Sequence, residues 1–390
     1  MKSSLMSNYG SPDLEFDHGK GCYLFTADGD QYLDFAMGIA VNCLGHCHPA
    51  LVDALTRQAG KLWHTSNLYR ISQAERLARR LTDLTFADRV FFSNSGTEAV
   101  ECGFKMIRRY QHNKGRHKRK RIIALSESFH GRTLAPIAAS ANPLHMEGFL
   151  VGDAGFDQVS FGDGAAMAAA ITEDTAGIVI EPIQGEGGIR IASKEYLQQL
   201  RDICNSHDLL LMFDEVQCGL ARAGSLFAYQ QSGITPDILA SAKGLGGGFP
   251  IGACLSSNKA AAAMVAGTHG STFGGNPLAS AVANAVLDEI TAPGFMDEIN
   301  SRANYLHQRL QELVERFPDL LQDITGAGLM IGINCKVNNS ELMAALTTQR
   351  LLSVKAGNNS IRFLPPLNVS QNEIDEALTI FESVLKNWQP

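Results

Sequence analysis

Five short apolar runs dominate the middle of this 390-residue chain: Val90 to Phe92, Ile122 to Leu125, Gly177 to Ile180, Leu209 to Phe213 and Ile238 to Ala240. Stretches with helical spacing separate them. No charged residue interrupts a run, so each strand expects cover on both faces. Strands of this kind alternating with helices predict an α/β fold: a mainly parallel central sheet flanked by helices. Tyr23 to Ala36 reads as short strands around a turn at Asp28-Gly29-Asp30. Pro277 to Ile290 reads as a long helix leading out of the sheet region, and Pro293-Gly294 breaks the pattern. The remainder mixes helices with short strands, as a smaller α+β domain would. The predicted division is an N-terminal segment over 1–40 that packs with the small domain, a large cofactor-binding domain over 41–290, and a C-terminal small domain over 291–390.

Composition narrows the class. The length is comfortable for two domains. A net charge of -7 gives no reason to expect nucleic acid as a partner. No apolar run approaches the ~20 residues that span a bilayer. The first seven residues lack the apolar core of a signal peptide. The eight cysteines are scattered, which suits free thiols in a reducing cytoplasm better than a disulfide framework.

Ligands of open α/β sheets bind beyond the carboxyl ends of the strands, and the residues there carry the chemistry. Lys243 follows the last run and opens a glycine-rich turn, Gly244 to Gly248. A lysine amine can form a Schiff base with an aldehyde, and the glycines leave room beside it for a bulky cofactor. Asp214 closes the fourth run. Its carboxylate can keep a pyridine nitrogen protonated, and Gln217 can hydrogen-bond a ring oxygen. Asp214 and Lys243 together are the pair that a pyridoxal 5′-phosphate enzyme needs. A strand-end Asp can also ligate a metal, but no G-x-x-x-x-G-K-[ST] loop accompanies it. A dinucleotide site loses its main support too, because Phe249 occupies the third glycine position of that motif.

The other strand ends leave two readings each. Ser95, Gly96 and Thr97 form either a phosphate cradle at a helix N-terminus or a plain N-cap. Phe129 either stacks on a flat ring or belongs to the core. Arg132 either grips a carboxylate with its planar fork or makes a surface ion pair. Glu181 and Glu186, among glycines, either orient a cationic group or sit in a solvated turn. Two further clusters look like decoys. Gly45-His46-Cys47-His48 has no partner cluster at zinc spacing, so no metal is expected. The basic run Lys114 to Arg121 lacks interleaved aromatics and reads as a solvated loop or helix end.

In this order the motifs resemble the class III, ornithine-type aminotransferases of PLP fold type I, over about Gly29 to Val369. The stretches that carry the likeness include Gly38 to Asn42, Ser95 to Ala99, Phe129 to Thr133, Glu181 to Glu186, Asp214 to Gln217, Lys243 with its glycines, Ser271 to Pro277 and Arg362 to Leu367. The resemblance implies PLP joined to Lys243, with Asp214 at the pyridine nitrogen and Gln217 near the ring oxygen. It implies Phe129 on the ring, and Ser95, Gly96 and Thr97 on the phosphate. Thr272, and Ser271 with it, would reach across from the second subunit of a homodimer. Arg132 and Arg362 would bind substrate carboxylates, with Glu186 masking Arg362 when only one needs binding. The implied reaction passes the distal amine of N2-acetyl-L-ornithine to 2-oxoglutarate, a step of arginine biosynthesis. Succinylornithine, ornithine, 4-aminobutyrate and succinyl-diaminopimelate are the alternative donors.

Overall fold

The structure, a computed structural model, describes residues 4–9, 14–149 and 153–388. Met1 to Ser3, read above for a leader, lie outside the described residues, as do the outermost residues of the C-terminal segment.

A seven-stranded sheet organises the middle of the chain. Its strands are β1 (Arg89–Ser93), β2 (Arg121–Leu125), β3 (Phe156–Val159), β4 (Thr175–Ile180), β5 (Leu210–Asp214), β6 (Ile238–Ser241) and β7 (Gly252–Ser256), in spatial order β1-β7-β6-β5-β4-β2-β3. The contiguous set β6-β5-β4-β2-β3 is parallel. β7 runs antiparallel to both neighbours, so β1 points the same way as the rest. The five apolar runs all became strands. β3 and β7 escaped the sequence reading for different reasons. β3 carries Asp157 and Gln158 at a sheet edge, and β7 is built of small residues (Gly252, Ala253, Cys254) squeezed between two neighbours.

The two-sided burial inferred from composition is visible residue by residue on β5. Leu210 and Met212 enter one apolar cluster with Val100, Phe104 and Ile107 of the helix Gly96–Asn113. Leu211 and Phe213 enter the opposite cluster, with Val286 of the helix Pro277–Ile290 and Leu306 of Phe295–Arg316. Each such side chain contributes ~1.5–3 kcal/mol when fully buried. Gly103 lets its helix lie against the sheet, since a Cβ there would stand 2.5 Å from Met212 Sδ. The helix Pro277–Ile290 begins as read, with Pro277 in the first turn and the Asn276 side chain accepting from Ala279 N–H.

Two smaller sheets flank this body. Leu321–Ala327, Met330–Cys335, Ser360–Phe363 and Val354–Ala356 form an antiparallel sheet in that order. His18–Lys20, Tyr23–Phe25 and Gln31–Asp34 form another, which Leu351–Leu352 joins in parallel. Arg222, 2% exposed, stitches the parts together by donating from Nη1 to the carbonyls of Leu329 and Pro365.

The decoys have structural jobs. His46 Nε2 lies 2.8 Å from Asp34 Oδ2, and among the described residues no group of three or more His, Cys, Asp or Glu is placed to hold a metal. The basic run is pinned by acids: Lys114 and Arg116 to Asp208, and Arg121 to Asp153 and Asp157. All eight cysteines are free, and only Cys47 is exposed. No described helix is long and apolar enough to cross a membrane.

Candidate active site

The carboxyl ends of β1, β2, β4, β5 and β6 converge on one cavity of about 430 Å³. Its wall holds Ser95, Gly96, Thr97, Phe129, Arg132, Glu181, Asp214, Gln217 and Lys243, so nine residues singled out from the sequence meet in space.

Lys243 leaves the end of β6 with φ at +42°, a region that non-glycine residues seldom occupy. Its ammonium has no hydrogen-bond or ion-pair partner among the described residues. Burial pulls the Lys243 pKa down to about 8, with Glu186 pulling the other way. The amine is therefore nucleophilic over a pH range where an ordinary lysine is fully charged.

Asp214 is fixed at the end of β5 by two contacts. Oδ1 accepts from Val216 N–H at 3.1 Å, and Oδ2 lies 2.7 Å from Nδ1 of the fully buried His130. Burial opposes a charge on His130, but the hydrogen bond and the charge of Asp214 prevail and raise its pKa. Glu181 lines the same cavity and accepts from the N–H of Phe129 at 2.9 Å. Burial, with the nearby Asp214 charge, lifts Glu181 to about 7, against the opposing effect of His130. His130 thus forms a buried support for Asp214. The sequence reading gave His130 no role, although a His beside Gly131 at a strand end was the available signal. Gly131 has φ at +123°, and a Cβ there would meet Thr97 Oγ1 at 2.2 Å, so the turn brings Phe129 and His130 against the Ser95 loop.

Ser95 caps the helix Gly96–Asn113, its hydroxyl accepting from Glu98 N–H at 3.4 Å. The N–H groups of Gly96 and Thr97 have no acceptor among the described residues. They point from a helix of 18 residues whose dipole favours an anion. The cap and the cradle are therefore compatible rather than rival readings.

Arg132 has no carboxylate partner among the described residues; its guanidinium carbon lies 5.6 Å from the centre of the Phe129 ring. Arg362 is fully buried and doubly engaged by Glu186, at 2.7 and 2.9 Å. Gln217 Oε1 also accepts from Arg362 Nη1 at 3.0 Å, so the oxygen of its amide is committed to that cluster. Ser271 and Thr272 are not in the cavity wall. Ser271 Oγ accepts from Asn94 Nδ2 at 3.1 Å, and Thr272 is exposed nearby.

The donor set suits one kind of guest. Unpaired N–H groups match a phosphate, a phenyl face matches a flat ring, a fixed carboxylate matches a ring N–H, and an unpartnered amine matches an aldehyde.

Comparison with known proteins agrees. The family model for aminotransferase class-III matches residues 6–385. The acetylornithine aminotransferase of Agrobacterium fabrum is 53% identical over 97% of this chain and 95% of its own length. That of Clostridium acetobutylicum is 45% identical over 99% and 100%. Among solved structures, ornithine aminotransferase from Toxoplasma gondii superposes with a TM-score of 0.94 at 29% identity, covering 98% of this chain and 92% of that one. N-acetylornithine aminotransferase from Stenotrophomonas maltophilia gives 0.85 at 35% identity, with 97% of each chain covered. The chain belongs to the class-III aminotransferases, a pyridoxal 5′-phosphate-dependent family.

Proposed function

We propose that the protein transfers the distal amino group of N2-acetyl-L-ornithine to 2-oxoglutarate, giving N-acetyl-L-glutamate 5-semialdehyde and L-glutamate. The observation that carries this reading is the contrast between two arginines. Arg132 is free of any carboxylate among the described residues, whereas Arg362 is already neutralised by Glu186. A donor with one carboxylate needs only the first. An acceptor with two carboxylates needs both, and must displace Glu186. The relatives' names point to the same donor.

The residues present fit the cofactor. Lys243 would hold it covalently, Asp214 would pair with its ring nitrogen, Phe129 would cover its ring, and Ser95, Gly96 and Thr97 would hold its phosphate. When bound, PLP supplies a cationic ring that draws electrons from the carbon bearing the amine. The chain's own residues do the rest. Arg132 orients the donor by its carboxylate, leaving the distal amine to face Lys243. Lys243 Nζ takes the proton from the amine-bearing carbon and returns it at the neighbouring centre. His130 keeps Asp214 in place while the charge on the ring changes.

Homodimer formation in the cytoplasm is part of this reading. It is supported by an apolar patch around Ser271 and Thr272: Trp63, Leu68, Tyr69 and Phe273 are 64%, 82%, 69% and 59% exposed. Such a contiguous patch needs a partner. Division into 1–40, 41–290 and 291–390 is also proposed, supported by the pairing of Gln31–Asp34 with Leu351–Leu352.

The test is a panel of half-reactions with purified holoenzyme, followed through the visible cofactor absorbance. N2-acetyl-L-ornithine should bleach the absorbance fastest, and Arg132→Ala should lower kcat/KM for it by about 100-fold or more, as loss of a charge-assisted carboxylate contact does. Faster bleaching by 4-aminobutyrate would remove the substrate assignment. Glu186→Ala should act on the two halves unequally. It frees Arg362, so the donor half should slow while 2-oxoglutarate binding holds or tightens. Equal effects on both halves would rule out a mask.

A further inference from the structure

Beyond Phe129 and Arg132 lies a second cavity of about 840 Å³, which shares those two residues with the first. Its wall carries two acids and two bases, but both acids are already paired with arginines that stand outside it. Glu127 is taken by Arg190, at 2.5 Å, and both oxygens of Glu186 are taken by Arg362. His145 is held below the usual imidazole range, first by burial and then by the charge of Arg132, so it stays neutral at neutral pH. Lys355 and Arg132 remain, and neither has a carboxylate partner among the described residues. Lys355 is exposed, and its backbone carbonyl accepts from Arg362 Nη2 at 3.0 Å.

The following rests on the reading above that Arg132 takes the donor's α-carboxylate. The α-nitrogen, two bonds from that carboxylate's carbon, would then face the second cavity, whose wall Arg132 shares. In ornithine this nitrogen is an ammonium. In N2-acetylornithine it is a neutral amide. We propose that Lys355 is a specificity-determining residue, whose uncompensated charge rejects a free α-ammonium and so selects N-acylated ornithine over ornithine. No snug acetyl pocket is required for this choice. Acylation removes the one charge that the wall repels. A like-charge contact at a partly solvated site is worth about tenfold in an equilibrium.

The two donors share the carboxylate, the chain and the reacting amine, so the ratio of their half-reaction kcat/KM values isolates the α-nitrogen. The ratio of N2-acetyl-L-ornithine to L-ornithine should fall about tenfold in Lys355→Met, fall further in Lys355→Glu, and recover in Lys355→Arg. In the wild type it should shrink as sodium chloride rises. A second readout avoids turnover. N-Acetyl-L-norvaline and N,N-dimethyl-L-norvaline are similar in size, lack the distal amine and cannot condense with an aldehyde. Their calorimetric Kd values on the holoenzyme should differ in favour of the acetyl compound, and Lys355→Glu should reverse or erase that difference. Ratios unchanged across the Lys355 variants would overturn the proposal. A wild type that reacts with neither donor would sink the aminotransfer reading, while the calorimetric ratio would still judge Lys355.

Discussion

Lys243→Ala should lower turnover by about 10⁴-fold or more, because it removes both the covalent anchor and the proton carrier. The fold should survive. The side chain is a buried cation without a hydrogen-bond or ion-pair partner among the described residues, and replacing it relieves that burden. Two measurements check this: borohydride should no longer fix the cofactor covalently to the chain, and thermal unfolding of the cofactor-free protein should be unchanged or improved. Near-normal turnover would defeat the assignment. The same variant tests the shared site. Lys243→Ala subunits mixed with Thr272→Ala subunits should regain about a quarter of wild-type activity, since a random half of the dimers are hybrids with one intact site of two. No recovery on mixing would mean that Thr272 serves its own subunit or none.

Asp214→Ala should cost activity and stability together. Losing the ring's counter-charge should lower kcat by about 10³-fold. The stability loss has a separate origin, because His130 is fully buried and its only hydrogen-bonded ion partner is Asp214. Orphaning it should cost about 3 kcal/mol. The pH dependence distinguishes this from simple cavity formation. His130 has a raised pKa in the folded protein, so its contribution is full below its ordinary value of 6.5 and is lost as pH rises through the raised one. The stability gap between wild type and variant should therefore be widest in acid and narrow above neutrality. Asp214→Asn keeps the volume and an acceptor, so it should recover part of the stability and little of the rate. A variant as active as the wild type would exclude Asp214 from the cofactor's ring.

How much of this was legible in the sequence depended on whether the signal was local. Lys243, Asp214 and the Ser95 turn were readable because a buried strand gives way abruptly to a polar or glycine-rich segment. That transition marks the carboxyl edge of the sheet wherever it occurs. The partnership of Glu186 with Arg362 spans 176 residues, and only the likeness to a family suggested it. Glu181 and His130 were visible as letters but not as neighbours of Asp214, because their meeting depends on the order in which β2, β4 and β5 lie side by side. β7 was invisible for a related reason: its small residues are dictated by neighbours on both sides rather than by an apolar period of their own. Lys355 carried no local signal at all. Its meaning lies in what fails to surround it, and a chain of letters does not record an absent counter-ion.

The mooring of Glu186 limits how the two substrates can alternate. Its carbonyl accepts from Gly357 N–H at 2.7 Å, so its main chain is fastened to the antiparallel sheet that also carries Arg362. Releasing the guanidinium breaks both of its hydrogen bonds to Glu186 and otherwise needs only rotation about the glutamate's own bonds. Exchange between donor and acceptor can then proceed without hinged movement of large parts, and its rate should be indifferent to solvent viscosity.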